Sequence, residues 1–136
     1  MTAVLADSAT IVWWLGGQRD KLTDVAFAAL TDADQTDGIY VSAITLVDVW
    51  YATHKRNDAL SLADLRSIDD ALASPDINVH VLPVTAADAR VAREPTRERV
   101  RDPFDRIILA TARARSLPLV TPDGILRSLG LVRTIW

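Results

Sequence analysis

Five short apolar runs constrain this chain more than anything else in it: Val4-Leu5-Ala6, Gly38-Ile39-Tyr40-Val41, Val79-His80-Val81-Leu82-Pro83, Leu117 to Thr121, and Val132 to Trp136. Each is too short for a stable helix, and the first is apolar at every position, as a strand covered on both faces must be. Segments of helical period lie between them. Strands alternating with helices imply an α/β fold on a mainly parallel sheet, because parallel strands need a crossover, usually a helix.

The helices carry their own start and stop signals. Ser8 to Leu15 is closed by Gly16-Gly17, and Thr23 caps a helix from Asp24 to Ala33. Ser42 can cap a helix over Ala43 to Lys55, and Leu60 to Ala73 ends at Ser74-Pro75, giving a helical hairpin. A short helix is predicted over Ala86 to Ala92, and another over Asp123 to Leu129. Asp102-Pro103 reads as an N-cap with proline at the first position of a helix reaching Arg115. Phe104, Ile107, Ile108, Thr111 and Ala112 share the face expected to be buried.

With 136 residues, 49% of them hydrophobic, a single domain over residues 1–136 is expected. Cysteine is absent, which excludes thiolate-ligated zinc and iron–sulfur centres. No apolar run approaches a membrane span, and the opening residues carry no basic leader, so a cytoplasmic protein is expected. The net charge of −3 gives no overall attraction to nucleic acid. Positive charge is nearly all arginine, concentrated at Arg90, Arg93, Arg97, Arg99, Arg101 and Arg106 and diluted by Glu94, Glu98, Asp102 and Asp105. Two readings stand: a solvated, salt-bridged surface, or a phosphate-contacting rim that includes Arg101 and Arg106.

Acids fall where such a sheet places its sites, just beyond the carboxyl ends of strands. Asp7 follows the first strand and Asp123 the fourth. Either alone is explained as a turn or cap. Asp105 lies in the first turn of the Pro103 helix, where capping could again account for it. Asp48 sits with Ile44, Val47 and Tyr51 on an apolar stripe, with no basic residue at its helical neighbours. A carboxylate removed from water there needs a proton, a partner or a cation. Four converging carboxylates would repel one another unless a divalent ion neutralised them, and all-oxygen ligands suit Mg²⁺ or Mn²⁺. One ion, or two about 4 Å apart, would then serve water attack on a phosphodiester.

The segments Val4-Leu5-Ala6-Asp7-Ser8, Val41-Ser42-Ala43-Ile44 through Asp48, Arg101-Asp102-Pro103-Phe104-Asp105-Arg106 through Ala110, and Leu119-Val120-Thr121-Pro122-Asp123 occur in the order of a known family. The chain resembles PIN-domain ribonucleases, in particular the VapC toxins of type II toxin–antitoxin pairs, from end to end. The resemblance implies a three-layer α/β/α sandwich, Mg²⁺- or Mn²⁺-dependent cleavage of RNA, and inhibition by a cognate VapB-type antitoxin laid over the site. It also implies a homodimer or a heteromeric toxin–antitoxin complex. Asp7, Asp48, Asp105 and Asp123 match the family's acids, Asp48 standing where glutamate is usual. Asp102, Ser8 and Thr121 are expected in capping or supporting roles.

The four tryptophans are read as core or dimer packing rather than base-stacking surfaces, since they sit among apolar neighbours. Two other functions compete. An interaction domain would use the same acids to bind a basic partner segment. An aspartate-dependent phosphohydrolase would use Asp7 as nucleophile, but it normally needs an acid at position 9, which is alanine.

Overall fold

The structure is a computed structural model describing residues 2–55 and 60–136. In chain order the elements are β1 (Val4–Ala6), α1 (Ser8–Leu15), a 3₁₀ turn (Arg19–Lys21), α2 (Asp24–Gln35), β2 (Ile39–Ser42), α3 (Ile44–Ala52) and α4 (Leu62–Ala73). They continue as β3 (Val79–Leu82), α5 (Ala86–Val91), α6 (Pro103–Ala114), β4 (Leu119–Val120), α7 (Gly124–Ser128) and β5 (Thr134–Ile135). The strands form one sheet in the order β3-β2-β1-β4-β5, and all four pairings are parallel.

β1 shows why an unbroken apolar run was required. Alternate residues point to opposite faces of a strand. Val4 and Ala6 enter a core with Ile11, Ala26, Leu30, Ile39 and Val41, beneath α1 and α2. Leu5 enters a second core with Ile108, Leu109, Ala112, Leu119 and Leu126, beneath α6 and α7. The result is a three-layer α/β/α arrangement in which the central strand β1 is buried on both faces, while the edge strand β3 exposes His80 and Val81. Val12, Val49 and Ile68 form a smaller third cluster where α1, α3 and α4 meet.

Successive connections run from β1 to β2 to β3 on one side, and then β4 returns to the other side of β1. That reversal leaves a crevice beyond the carboxyl ends of β1 and β4, the usual position for a site in an open parallel sheet.

Local signals placed most element ends. Thr23, Asp102 and Asp123 cap α2, α6 and α7 through their side chains. The expected start of α4 at Leu60 moves to Leu62, because Ser61 and Asp64 form a reciprocal capping box. The expected helix over Ala43 to Lys55 is α3, shorter at both ends; Ser42 Oγ still accepts the Ile44 N–H at 3.3 Å. The part of its connection to α4 at residues 56–59 lies outside the described residues. On α6, Ile108, Thr111 and Ala112 are buried as expected, but Phe104 and Ile107 only partly, while Leu109 and Ala110 are also buried. Sheet on one side and α5 on another cover a broader face than a single stripe.

The stripe assigned to α3 is a clear departure. Val47 and Tyr51 are 43% and 50% exposed, whereas Thr45 and Val49 are buried. The helix Ile44–Ala52 is apolar nearly all round, so composition alone leaves open which face meets the protein. Contacts with α1, α4 and α6 select the Thr45–Val49 face. Asp48 therefore sits half-buried beside that face, not within a buried Ile44–Val47–Tyr51 stripe.

Candidate metal centre

Asp7 is the fixed point of the crevice. It is the N-cap of α1 and 7% exposed, with the Thr10 N–H donating to Oδ1 at 2.9 Å and the Thr121 hydroxyl donating to Oδ2. Burial pushes its carboxyl up from the ordinary range; the bonds from Thr121 and Thr10 oppose that, and the Asp123 charge adds to it. Thr121 is also the acceptor for the Asp123 N–H at 3.1 Å, so one hydroxyl links the ends of β1 and β4. The Asp7 N–H donates to the Val120 carbonyl, tying the same two ends through the backbone.

Asp123 caps α7 through one oxygen, Oδ1, which accepts the Ile125 and Leu126 N–H groups at 2.8 and 3.0 Å. Asp102 does the same for α6, its Oδ1 accepting from Phe104 and Asp105 at 2.8 and 3.3 Å. In each carboxylate the second oxygen takes no part in the cap. Capping and a place beside the crevice are thus compatible in one residue.

Asp105 differs. Among the described residues no hydrogen bond reaches its carboxyl, and its pKa is pushed up to about 7 by burial first, then by the charges of Asp102, Asp123, Asp48 and Asp7. All four predicted acids are therefore within electrostatic range of one another. They are not drawn into a ligand shell: among the described residues no three acidic or imidazole side chains stand close enough together to share an ion. The two findings describe different distances. Repulsion operates across the crevice, while shared ligation would need these carboxylates closer together.

Ser8, expected in a supporting role, donates from Oγ to Thr45 Oγ1 at 3.2 Å and joins α1 to α3 behind Asp48. The two expected phosphate contacts separate. Arg101 is exposed and lines a cavity of about 420 Å³ with Arg99, Asp102, Asp105 and Asp123. Arg106 is turned the other way: its guanidinium donates to the carbonyls of Ala92, Pro95 and Thr96 at 2.7 to 2.8 Å. With these three bonds Arg106 fastens the loop before α6. Its loop partners lie 10 to 14 residues upstream, in a segment with no periodic signal.

The tryptophans divide as well. Trp13 and Trp14 pack against the core under α1, as expected, but Trp50 is 44% exposed. Trp50 meets Tyr51 and His54, and Tyr51 meets Phe104 at 5.4 Å, so an exposed aromatic row runs from α3 to the start of α6.

Residues 4–130 match the model of the PIN domain family. Ribonuclease VapC22 of Mycobacterium tuberculosis is 33% identical over 128 residues, covering 94% of this chain and 92% of that protein. Among solved structures, VapBC2 from Rickettsia felis, bound to a DNA fragment from its promoter, superposes with a TM-score of 0.68 at 14% identity, covering 97% of this chain and 96% of that one. A toxin–antitoxin complex from Klebsiella pneumoniae gives 0.64 at 21% identity, with 95% and 94% covered. The likenesses to solved structures concern the fold; the family match and the sequence identity establish that this chain belongs to the PIN-domain family and, within it, to the VapC proteins.

Proposed function

We propose that residues 1–136 form one PIN domain that acts as a Mg²⁺- or Mn²⁺-dependent endoribonuclease, the toxin of a toxin–antitoxin pair, held inactive by a VapB-type antitoxin. Asp7, Asp48, Asp105 and Asp123 would hold the metal and form the catalytic set. The observation that carries this reading is Asp105, a half-buried carboxyl with no hydrogen-bond partner among the described residues and within range of the charges of four other carboxylates. The donor set fits a hard divalent cation, being all oxygen.

Such a cation, when bound, supplies neutralising charge at the phosphate and makes water a better nucleophile. The chain's own contribution is orientation. Thr10 and Thr121 hold Asp7 in one rotamer, and Asp123 is held by the first turn of α7. Asp105, whose pKa is raised to about 7, would carry a proton in the metal-free protein near neutral pH and would hold a cation as its carboxylate. Arg101, exposed at the rim, is placed to meet a backbone phosphate, and Asp102 shapes the start of α6.

A basic antitoxin side chain entering the same negative potential would displace the metal, which couples inhibition to the charge that drives binding. The separation of the acids beyond shared ligation favours one rival, a non-catalytic pocket for a basic segment. The two readings part in an RNA cleavage assay on antitoxin-free protein. The enzyme cuts RNA with Mg²⁺ or Mn²⁺, fails in EDTA, and loses activity in Asp7→Asn without losing its fold. A metal-loaded protein inactive on every RNA offered would support the binding pocket instead.

A further inference from the structure

The sequence has only two lysines, and both line one cavity. Lys21 ends the 3₁₀ turn after α1, and Lys55 follows α3; each is exposed, and they belong to segments more than thirty residues apart. The cavity, about 610 Å³, has Val12, Trp13 and Val49 among its apolar walls and contains Asp48. Among the described residues neither lysine forms an ion pair with Asp48 or with any other acid. A second cavity has Arg99 and Arg101 among its lining, with Asp102, Asp105 and Asp123. Each of the two cavities thus has a share of the carboxylates and a pair of cationic side chains.

We propose that Lys21 and Lys55 hold backbone phosphates of a single-stranded RNA in the cavity that contains Asp48, apart from the cavity lined by Arg99 and Arg101. This rests on the RNA-cleaving reading above. The argument is electrostatic. A polyanion approaching a crevice of five carboxylates is repelled unless cations flank its path, and a chain with net charge −3 has no general surplus of them. Lysine's flexible ammonium acts as a point charge that tolerates variation in backbone geometry, whereas the arginines of the second cavity can grip a phosphate in two-point fashion. The apolar residues Val12, Trp13 and Val49 of the same cavity offer a surface for sugar and base without a sequence-reading hydrogen bond.

The test is the Lys21→Met/Lys55→Met double variant, with a short fluorescent single-stranded RNA as probe. Its KM is expected to rise about tenfold while kcat falls less than threefold, and the salt dependence of kcat/KM should become shallower by ~1.4 in log–log slope, two single-strand phosphates. An unchanged thermal midpoint excludes misfolding. Wild-type KM and salt slope in the variant overturn the proposal while leaving the nuclease reading intact. If the wild type cuts no RNA, the nuclease reading fails, and anisotropy with the same probe still decides the lysines: equal affinity in both proteins overturns them. Loss of antitoxin binding with RNA kinetics unaltered assigns the cavity to a protein partner and also overturns the proposal.

Discussion

The two halves of the crevice are built differently. On the sheet side, Asp7 accepts two hydrogen bonds and Asp123 is anchored by α7, with Thr121 bridging them. On the helical side, no hydrogen bond among the described residues holds Asp105, and Asp48 stands on a helix with much of its surface exposed. The difference teaches that the sheet fixes position while the helices leave room for adjustment. If the proposed cation binds here, half of its site would be assembled beforehand, and the helical half would supply the adjustment.

The largest effect should come from removing a carboxylate charge on either side. Asp7→Asn and Asp105→Asn are each expected to reduce RNA cleavage to background with the circular dichroism spectrum unchanged. If only the sheet-side variant fails, the helical acids are bystanders. Thr121→Val comes next. It removes the hydroxyl that orients Asp7 without touching the charge, and outer-shell partners of this type are worth about 10- to 100-fold in affinity or activity. Loss comparable to Asp7→Asn would mean that the fixed half depends wholly on that bond.

The pH response separates the halves further. The Asp105 pKa is raised in the fold to about 7 from an ordinary 3.8, so the metal-free folded state binds an extra proton. Its stability therefore falls as pH rises from about 4 through about 7, relative to a chain lacking that group. Asp105→Asn should accordingly match the wild type below pH 4 and unfold at a higher temperature above pH 7, both measured in EDTA. A variant less stable than wild type at pH 8 would contradict the unpaired state of this carboxyl. The smallest effect is expected at Asp102→Asn: asparagine can still cap α6, and cleavage should stay well above that of Asp105→Asn. Equal losses would make Asp102 part of the reacting set.

The same division decides what could be read from the sequence. The sheet side was legible because its signals are local: an apolar run stops at Asp7, another at Thr121-Pro122-Asp123, and a parallel sheet sends both ends to one edge. The contact between Asp7 and Thr121 spans 114 residues, yet topology alone brings those strand ends together. The helical side was less legible. An almost wholly apolar α3 carries too little contrast to show which face is covered, so its buried stripe was placed one face away from Thr45 and Val49. The part Arg106 plays in the loop was hidden for a related reason: three carbonyls in an aperiodic segment accept from its guanidinium, and carbonyl positions leave no mark in sequence. Lys21 and Lys55 drew no attention individually; only the fold puts them at one cavity.

Titration of Mn²⁺ into the metal-free protein at pH 6, with heat and released protons followed together, tests the central claim most directly. Four carboxylates sharing one site predict binding accompanied by proton release, because Asp105 is largely protonated at that pH. Asp7→Asn should weaken binding sharply, and Asp105→Asn should weaken it and eliminate most of the proton release. Mn²⁺ binding of wild-type strength in both variants would contradict the account.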